Sequence, residues 1–169
     1  MSYLSSFAST LPLFSLCSNN LCSLSQYADT PSSLARHRNV MDNIRKQAST
    51  HNILCYQETG LRAGDTRAFR QPGFLSKWYT SYNNGSQGYH GVATCVSPSI
   101  SKEYEISTIM GPVGQVLITS LAPRGDDPLR QPAQIVNCYL RDNVTSRSTR
   151  LSISYNGSST TLPRGFTPT

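Results

Sequence analysis

Apolar residues along this chain fall into two patterns. Short runs bounded by Asn, Gly, Pro or Asp predict strands at Leu11 to Leu16, Ile53 to Gln57, Ser76 to Tyr82 and Gly88 to Ser97. Three more follow at Tyr104 to Met110, Val113 to Leu121 and Gln134 to Leu140. One stretch instead has helical spacing, with Leu34, Val40, Met41, Ile44 and Ala48 forming a stripe that Ser32 or Ser33 can cap. Adjacent Asn19 and Asn20 mark the end of the first strand, and Asn83-Asn84-Gly85-Ser86 marks a turn. Strand, helix, strand over residues 11 to 57 is a βαβ pattern, so the chain reads as α/β, sheet-rich with one early helix.

At 169 residues there is room for one domain with a real core. Residues 1–10 are small and polar and are expected to fray, and 11–141 carry the strands and the helix. Residues 62 to 73 form a long polar loop on the side where Glu58 emerges. From residue 142 to 169 the chain turns Ser/Thr-rich, with Leu151, Ile153, Tyr155, Leu162 and Phe166 to bury, and reads as a weakly structured tail or hairpin. No run approaches the roughly 20 apolar residues of a membrane span, so no membrane role is expected.

Charge changes the picture modestly. The net charge of +6 is spread over scattered Arg and Lys, which suits an anionic partner such as DNA or another nucleic acid, or a merely basic surface. The five cysteines are odd in number and show no Cys-x-x-Cys pair. Cys55, Cys95 and Cys138 sit in apolar runs, where a free thiol acts as a small hydrophobe. That argues against a disulfide framework or zinc and for an intracellular, reducing location, the nucleus included. Sequons at Asn84, Asn143 and Asn156 are what a Ser/Thr-rich chain produces by chance.

The candidate chemistry centres on His51 to Leu61, where a buried-type strand delivers Gln57 and Glu58 to a turn at Gly60. A carboxylate at such a strand end needs a partner, either a hard divalent cation or an arginine such as Arg62. Asn20 and Tyr139 likewise terminate apolar runs, and strands that end together bring such residues to one rim. His90 is a strand-edge histidine or a catalytic one. Trp78, Tyr79 and Tyr82 either pack a core or stack bases.

These residues carry a resemblance. Ser18 to Leu24 is similar to the opening Ser-Trp-Asn-Val-Arg-Gly-Leu of the endonuclease/exonuclease/phosphatase (DNase I-like) superfamily. Ile53 to Leu61 resembles its Ile-Leu-Cys-Leu-Gln-Glu-Thr-x-Leu signature, and Gly88 to Ala93 its Gly-Tyr-x-Gly-Val-Ala strand. Gln134 to Leu140 resembles its Val-Asn-Val-Tyr strand. The resemblance is greatest to the abasic-site-type endonucleases of non-LTR retroelements and covers the family's N-terminal part. It implies a partial DNase I-like α/β sandwich that cleaves nucleic acid phosphodiesters with Mg²⁺ or Mn²⁺. Glu58 would be the metal ligand, and Asn20 and Tyr139 active-site residues at the phosphate.

The family's later Gly-Asp-x-Asn and Ser-Asp-His motifs find no match, since no Asp, Glu or His follows Asp142. The resemblance therefore implies a truncated chain, weakly active or inactive, lacking the half of the sandwich that should cover its sheet. Two alternatives stay open: a non-catalytic, basic nucleic-acid-binding remnant of the same fold, and a phosphatase of inositol phosphates or lipids.

Overall fold

The computed structural model describes residues 14–22, 31–61, 75–85, 90–127, 130–141, 147–155 and 158–161. Strands β1 (Leu16–Asn20) and β2 (Ile53–Gln57) run parallel, from Leu16 beside Ile53 to Asn20 beside Gln57. Helix α1 (Pro31–Thr50) connects them. It opens on Pro31, where a missing N–H is no loss and the ring already fixes a helical φ. Two further strands, β3 (Tyr79–Asn83) and β4 (Val92–Val96), complete a sheet of order β1-β2-β4-β3, with β4 antiparallel to both neighbours.

The second sheet is an antiparallel meander of β5 (Tyr104–Met110), β6 (Val116–Pro123), β7 (Ala133–Arg141), β8 (Arg147–Tyr155) and β9 (Ser158–Thr161). A short helix, α2 (Pro98–Glu103), joins the two sheets. It adds to the one helix read from the sequence. Its signal is Ser97-Pro98, an N-cap residue followed by proline at the first helical position, but six residues are too few to show a periodic stripe.

Alternation along β2 explains why all five of its residues are buried. Leu54 and Tyr56 point towards α1, where they meet Met41, Ile44, Ala93, Cys95 and Tyr82, with Val40, Ala48 and Trp78 at the margin. Ile53 and Cys55 point the other way, against Tyr104, Leu121 and Ile135 of the second sheet. The sequence-based expectation that the covering half of the sandwich is missing is thus corrected: β5 to β7 lie on that face. A strand buried on both sides reads as a continuous apolar run, which is what Ile53 to Tyr56 is.

Burial also settles other readings. Trp78 and Tyr82 pack in the helix-side core and Tyr79 in the inter-sheet core, in keeping with packing rather than base stacking. The first strand is Leu16–Asn20 rather than Leu11 to Leu16: Asn19 and Asn20 mark its end as expected, but as its last two residues, held in the ladder beside Tyr56 and Gln57. The segment read as a tail contributes β8 and β9, paired to β7 from Arg141 beside Arg147 to Gln134 beside Ser154. The N-terminal ten residues, the 62–73 loop and the sequons at Asn143 and Asn156 lie outside the described residues. Among the described residues no helix is long and apolar enough to cross a membrane, and all five cysteines are free thiols.

Candidate active site

The rim of the molecule where β1 and β2 end together is built by backbone before side chains. Leu21 N donates to Gln57 O (2.9 Å), which carries the parallel pairing one step past Asn20. Beyond β2 the chain leaves the ladder at Glu58, whose φ of 51° is left-handed. Thr59 N then donates to Gly91 O (3.1 Å) and Gly60 N to His90 O (2.8 Å), so the turn after β2 is pinned to the entry of β4. Gly91 itself donates to Gly114 O (3.0 Å) in the turn between β5 and β6. A Cβ on Gly91 would lie 2.5 Å from Thr59 Oγ1, which is why this approach needs glycine.

Left-handed backbone costs a residue with a side chain about 1–2 kcal/mol. Four described residues other than glycine adopt it: Cys22, Glu58, Leu75 and His90. Three of them, Cys22, Glu58 and His90, flank this rim. Such conformations persist only where surrounding contacts over-determine them, and they gather at functional sites.

The structure brings all three residues singled out in the sequence to the rim. Asn20 ends β1, and its Oδ1 accepts from Cys22 N (2.9 Å), an Asx turn that leaves the amide NH₂ to donate elsewhere. Glu58 follows β2 directly, half-buried, with Oε1 shielded from solvent. Tyr139 near the end of β7 is 2% exposed and packs on Val92 and Leu117. Its backbone N donates to Gln115 O (2.7 Å). Its ring stacks on His90, centroids 5.5 Å apart and planes inclined by 25°.

Four contributors were given no site role in the sequence reading: Asn137, Gln57, Asn83 and Arg36. Asn137 is fully buried in β7, where its Nδ2 donates to Ala93 O (2.8 Å) and Tyr56 O (3.2 Å) across the inter-sheet space. Gln57 Nε2 donates in turn to Asn137 Oδ1 (2.7 Å) and to Ser18 Oγ (3.2 Å). Asn83 does a similar job at the end of β3. Its Nδ2 reaches Val116 O (2.7 Å) and Pro112 O (2.9 Å), and its Oδ1 accepts from Gly114 N (2.9 Å). Asn137 is a polar residue inside an apolar run, and that anomaly was its signal. Arg36 of α1 donates to Cys22 O (2.6 Å), setting a cation beside the Asn20 turn.

The buried thiols take no part in this chemistry. Burial pushes Cys55 up to about 12 and Cys95 upward as well, so both stay protonated and inert.

A solved structure now gives these observations a frame. The AP endonuclease LMAP from Leishmania major superposes with a TM-score of 0.56 at 20% identity, over 76% of this chain and 40% of that one. The fold is DNase I-like. The chain spans two-fifths of the length of that enzyme. No protein-family model matches the sequence, and no curated protein does. Among the described residues no group of three or more His, Cys, Asp or Glu is placed to hold a metal. Zinc or a carboxylate cage would need such a group. Mg²⁺ does not, since it keeps several waters and takes one or two carboxylates together with substrate phosphate. A single half-buried carboxylate, Glu58, at a rim that also carries Asn20, fits that kind of ion.

Proposed function

We propose that this protein is a metal-dependent phosphodiesterase acting on nucleic acid, an endonuclease of the kind its structural neighbour is named for. The observation that carries the reading is the convergence of Asn20, Glu58 and Tyr139 on one strained rim of a DNase I-like fold. Within the reading, Glu58 holds Mg²⁺ or Mn²⁺. When bound, the ion neutralises charge developing on the phosphate and on the leaving oxygen. Asn20, its Oδ1 already held by Cys22, directs Nδ2 to a phosphate oxygen, and Tyr139 supports the rim from beneath. The net charge of +6 draws the polyanion in.

We infer a retroelement-type endonuclease as the nearest functional parallel and a reducing compartment, the nucleus included, as the setting. The five free cysteines suit that setting. A basic module that binds nucleic acid without cleaving it is the second reading, favoured by the same charge.

Mn²⁺ binding, followed by loss of the free-ion signal in electron paramagnetic resonance, tests the metal site. Wild type should bind in the presence of a short oligonucleotide and Glu58→Gln should not. Equal binding by both proteins would sink the assignment of Glu58. Oligonucleotide binding that ignores metal but collapses with salt would favour the module.

A further inference from the structure

We propose that the open edge of β5 is a self-pairing surface, along which two copies of this chain join their second sheets into one continuous antiparallel sheet. This pairing is independent of the chemistry at the rim. Among the described residues β1, β3, β5 and β9 end their sheets. β5 is the longest of them at seven residues, against five, five and four. A sheet edge is a template for a further strand, and proteins blunt it with Lys, Pro or a bulge. Tyr104 to Met110 contains neither Lys nor Pro, its one charge is Glu105, and its register with β6 is unbroken. Its far end is apolar and open: Ile109, Met110 and, in the turn, Val113 are 61%, 63% and 68% exposed.

Hydrogen bonding shows which backbone groups that edge offers. In an antiparallel ladder, opposite residues alternate between exchanging bonds and exchanging none. Gly111 N donates to Val116 O (3.0 Å) just past one end of the β5–β6 register, and Arg124 N to Glu103 O (2.8 Å) just past the other. Glu105, Ser107 and Ile109 therefore bond to β6. The N–H and C=O groups of Ile106, Thr108 and Met110 turn to the open side, where a second strand can meet them.

The sequence of the strand selects a second copy as the occupant. Two-fold pairing requires residue i to face j and j to face i, with both side chains on one side of the sheet. Registers centred on a residue meet that requirement, and centring on Ser107 engages all seven positions. Glu105 then faces the partner's Ile109, Ile106 the partner's Thr108, and Tyr104 the partner's Met110. No like charges meet. Pairing consumes both open β5 edges, so assembly stops at two. The contact is one strand and its apolar tip, at the small end of specific interfaces, so the dimer is reversible and concentration-dependent. A membrane surface is a poorer fit, because it calls for basic residues around the tip, and none lies between Lys102 and Arg124.

Sedimentation velocity and amide hydrogen exchange of protein of residues 1–169, each over a range of concentrations, test the pairing. The expected result is a monomer–dimer equilibrium in which the Ile106 and Thr108 amides become protected as concentration rises, while Ser107 is protected throughout. Thr108→Pro removes an outward amide and no bond to β6, and Ser107→Lys sets like charges face to face at the two-fold. Each should raise the dimer Kd at least about tenfold with an unchanged circular dichroism spectrum. Ser107→Cys, in a Cys22→Ser background that removes the exposed thiol, should form an intermolecular disulfide with oxidised glutathione, whereas Glu105→Cys should not. The reason is that residues facing each other without exchanging bonds have Cα atoms about 4.5 Å apart, within disulfide reach. A wild type still monomeric at about 1 mM would overturn the proposal and leave the edge to an extended segment of another protein. A dimer equally tight in folded Thr108→Pro and Ser107→Lys would overturn it too. So would exchange at Ile106 and Thr108 that ignores concentration in the wild type, whatever the stability of the variants.

Discussion

Gln57 and Asn137 share a 2.7 Å hydrogen bond that ties the first sheet to the second, one residue from Glu58 and two from Tyr139. Asn137 also donates to two main-chain carbonyls of the first sheet, Tyr56 O and Ala93 O, and so holds β7 against β2 and β4. Buried amides are costly when unmet and specific when satisfied. This pair sets the relative height of the two sheets at the rim. Asn137→Leu leaves the Gln57 amide and the carbonyls it served unmet, and should cost about 2–4 kcal/mol in urea unfolding. A double-mutant cycle with Gln57→Leu should show a coupling of roughly 1–3 kcal/mol. Additive effects would mean the two amides act independently.

Gly91→Ala meets two obstacles at once, a φ of 98° and a Cβ placed 2.5 Å from Thr59 Oγ1. The expected loss is about 2–5 kcal/mol. Thr59→Ala removes the obstructing oxygen and should restore part of it in the double variant. Alone, Thr59→Ala should cost little, because that buried hydroxyl has no hydrogen-bond partner among the described residues. No recovery in the double variant would locate the cost wholly in the backbone.

Much of the fold was legible because it is local. Met41 and Ile44 of the apolar stripe are buried on α1, with Val40 and Ala48 half-buried beside them, and Ile53 to Tyr56 announces a doubly buried strand. The rim was legible only in its residue types. Nothing in the sequence tells that Glu58 and His90 sit in left-handed backbone, since that follows from hydrogen bonds between segments about thirty residues apart. Asn137 reads as an anomaly in an apolar strand, but its partner Gln57 lies 80 residues away. The Asn19-Asn20 pair marked the end of β1, but the strand it closes is Leu16–Asn20 rather than Leu11 to Leu16, because a parallel ladder is not a local signal.

The buried thiols predict a pH dependence of stability with a definite sign. Cys55 ionises near 9.0 when exposed and is pushed up to about 12 by burial, against a smaller opposing hydrogen bond from Thr94. Below pH 9 both states hold the proton and the thiol contributes no slope. Between pH 9 and 12 only the unfolded chain releases it, so stability falls with rising pH by about 1.4 kcal/mol per unit for each such thiol. Cys95 shifts in the same direction. Urea midpoints should therefore drop steadily above pH 9, and Cys55→Ala should lessen that slope by one proton. A slope unchanged in Cys55→Ala would contradict the assignment.

Thiol labelling checks the same burial in the native state. Cys22 is exposed, whereas Cys55, Cys95 and Cys138 are buried. At pH 8 a thiol reagent should modify Cys22 promptly and reach Cys55 and Cys95 only through unfolding. Comparable rates at all three would mean that the β2–β4 pair opens far more readily than its burial implies.

Nicking of supercoiled plasmid by purified protein of residues 1–169, with Mg²⁺ and with EDTA, tests the central claim most directly. Glu58→Gln, prepared identically, controls for contaminating nucleases. Nicking that needs metal and is lost in Glu58→Gln is the predicted result. Nicking that survives the substitution, or silence from both proteins at high concentration, would contradict a Glu58-centred phosphodiesterase.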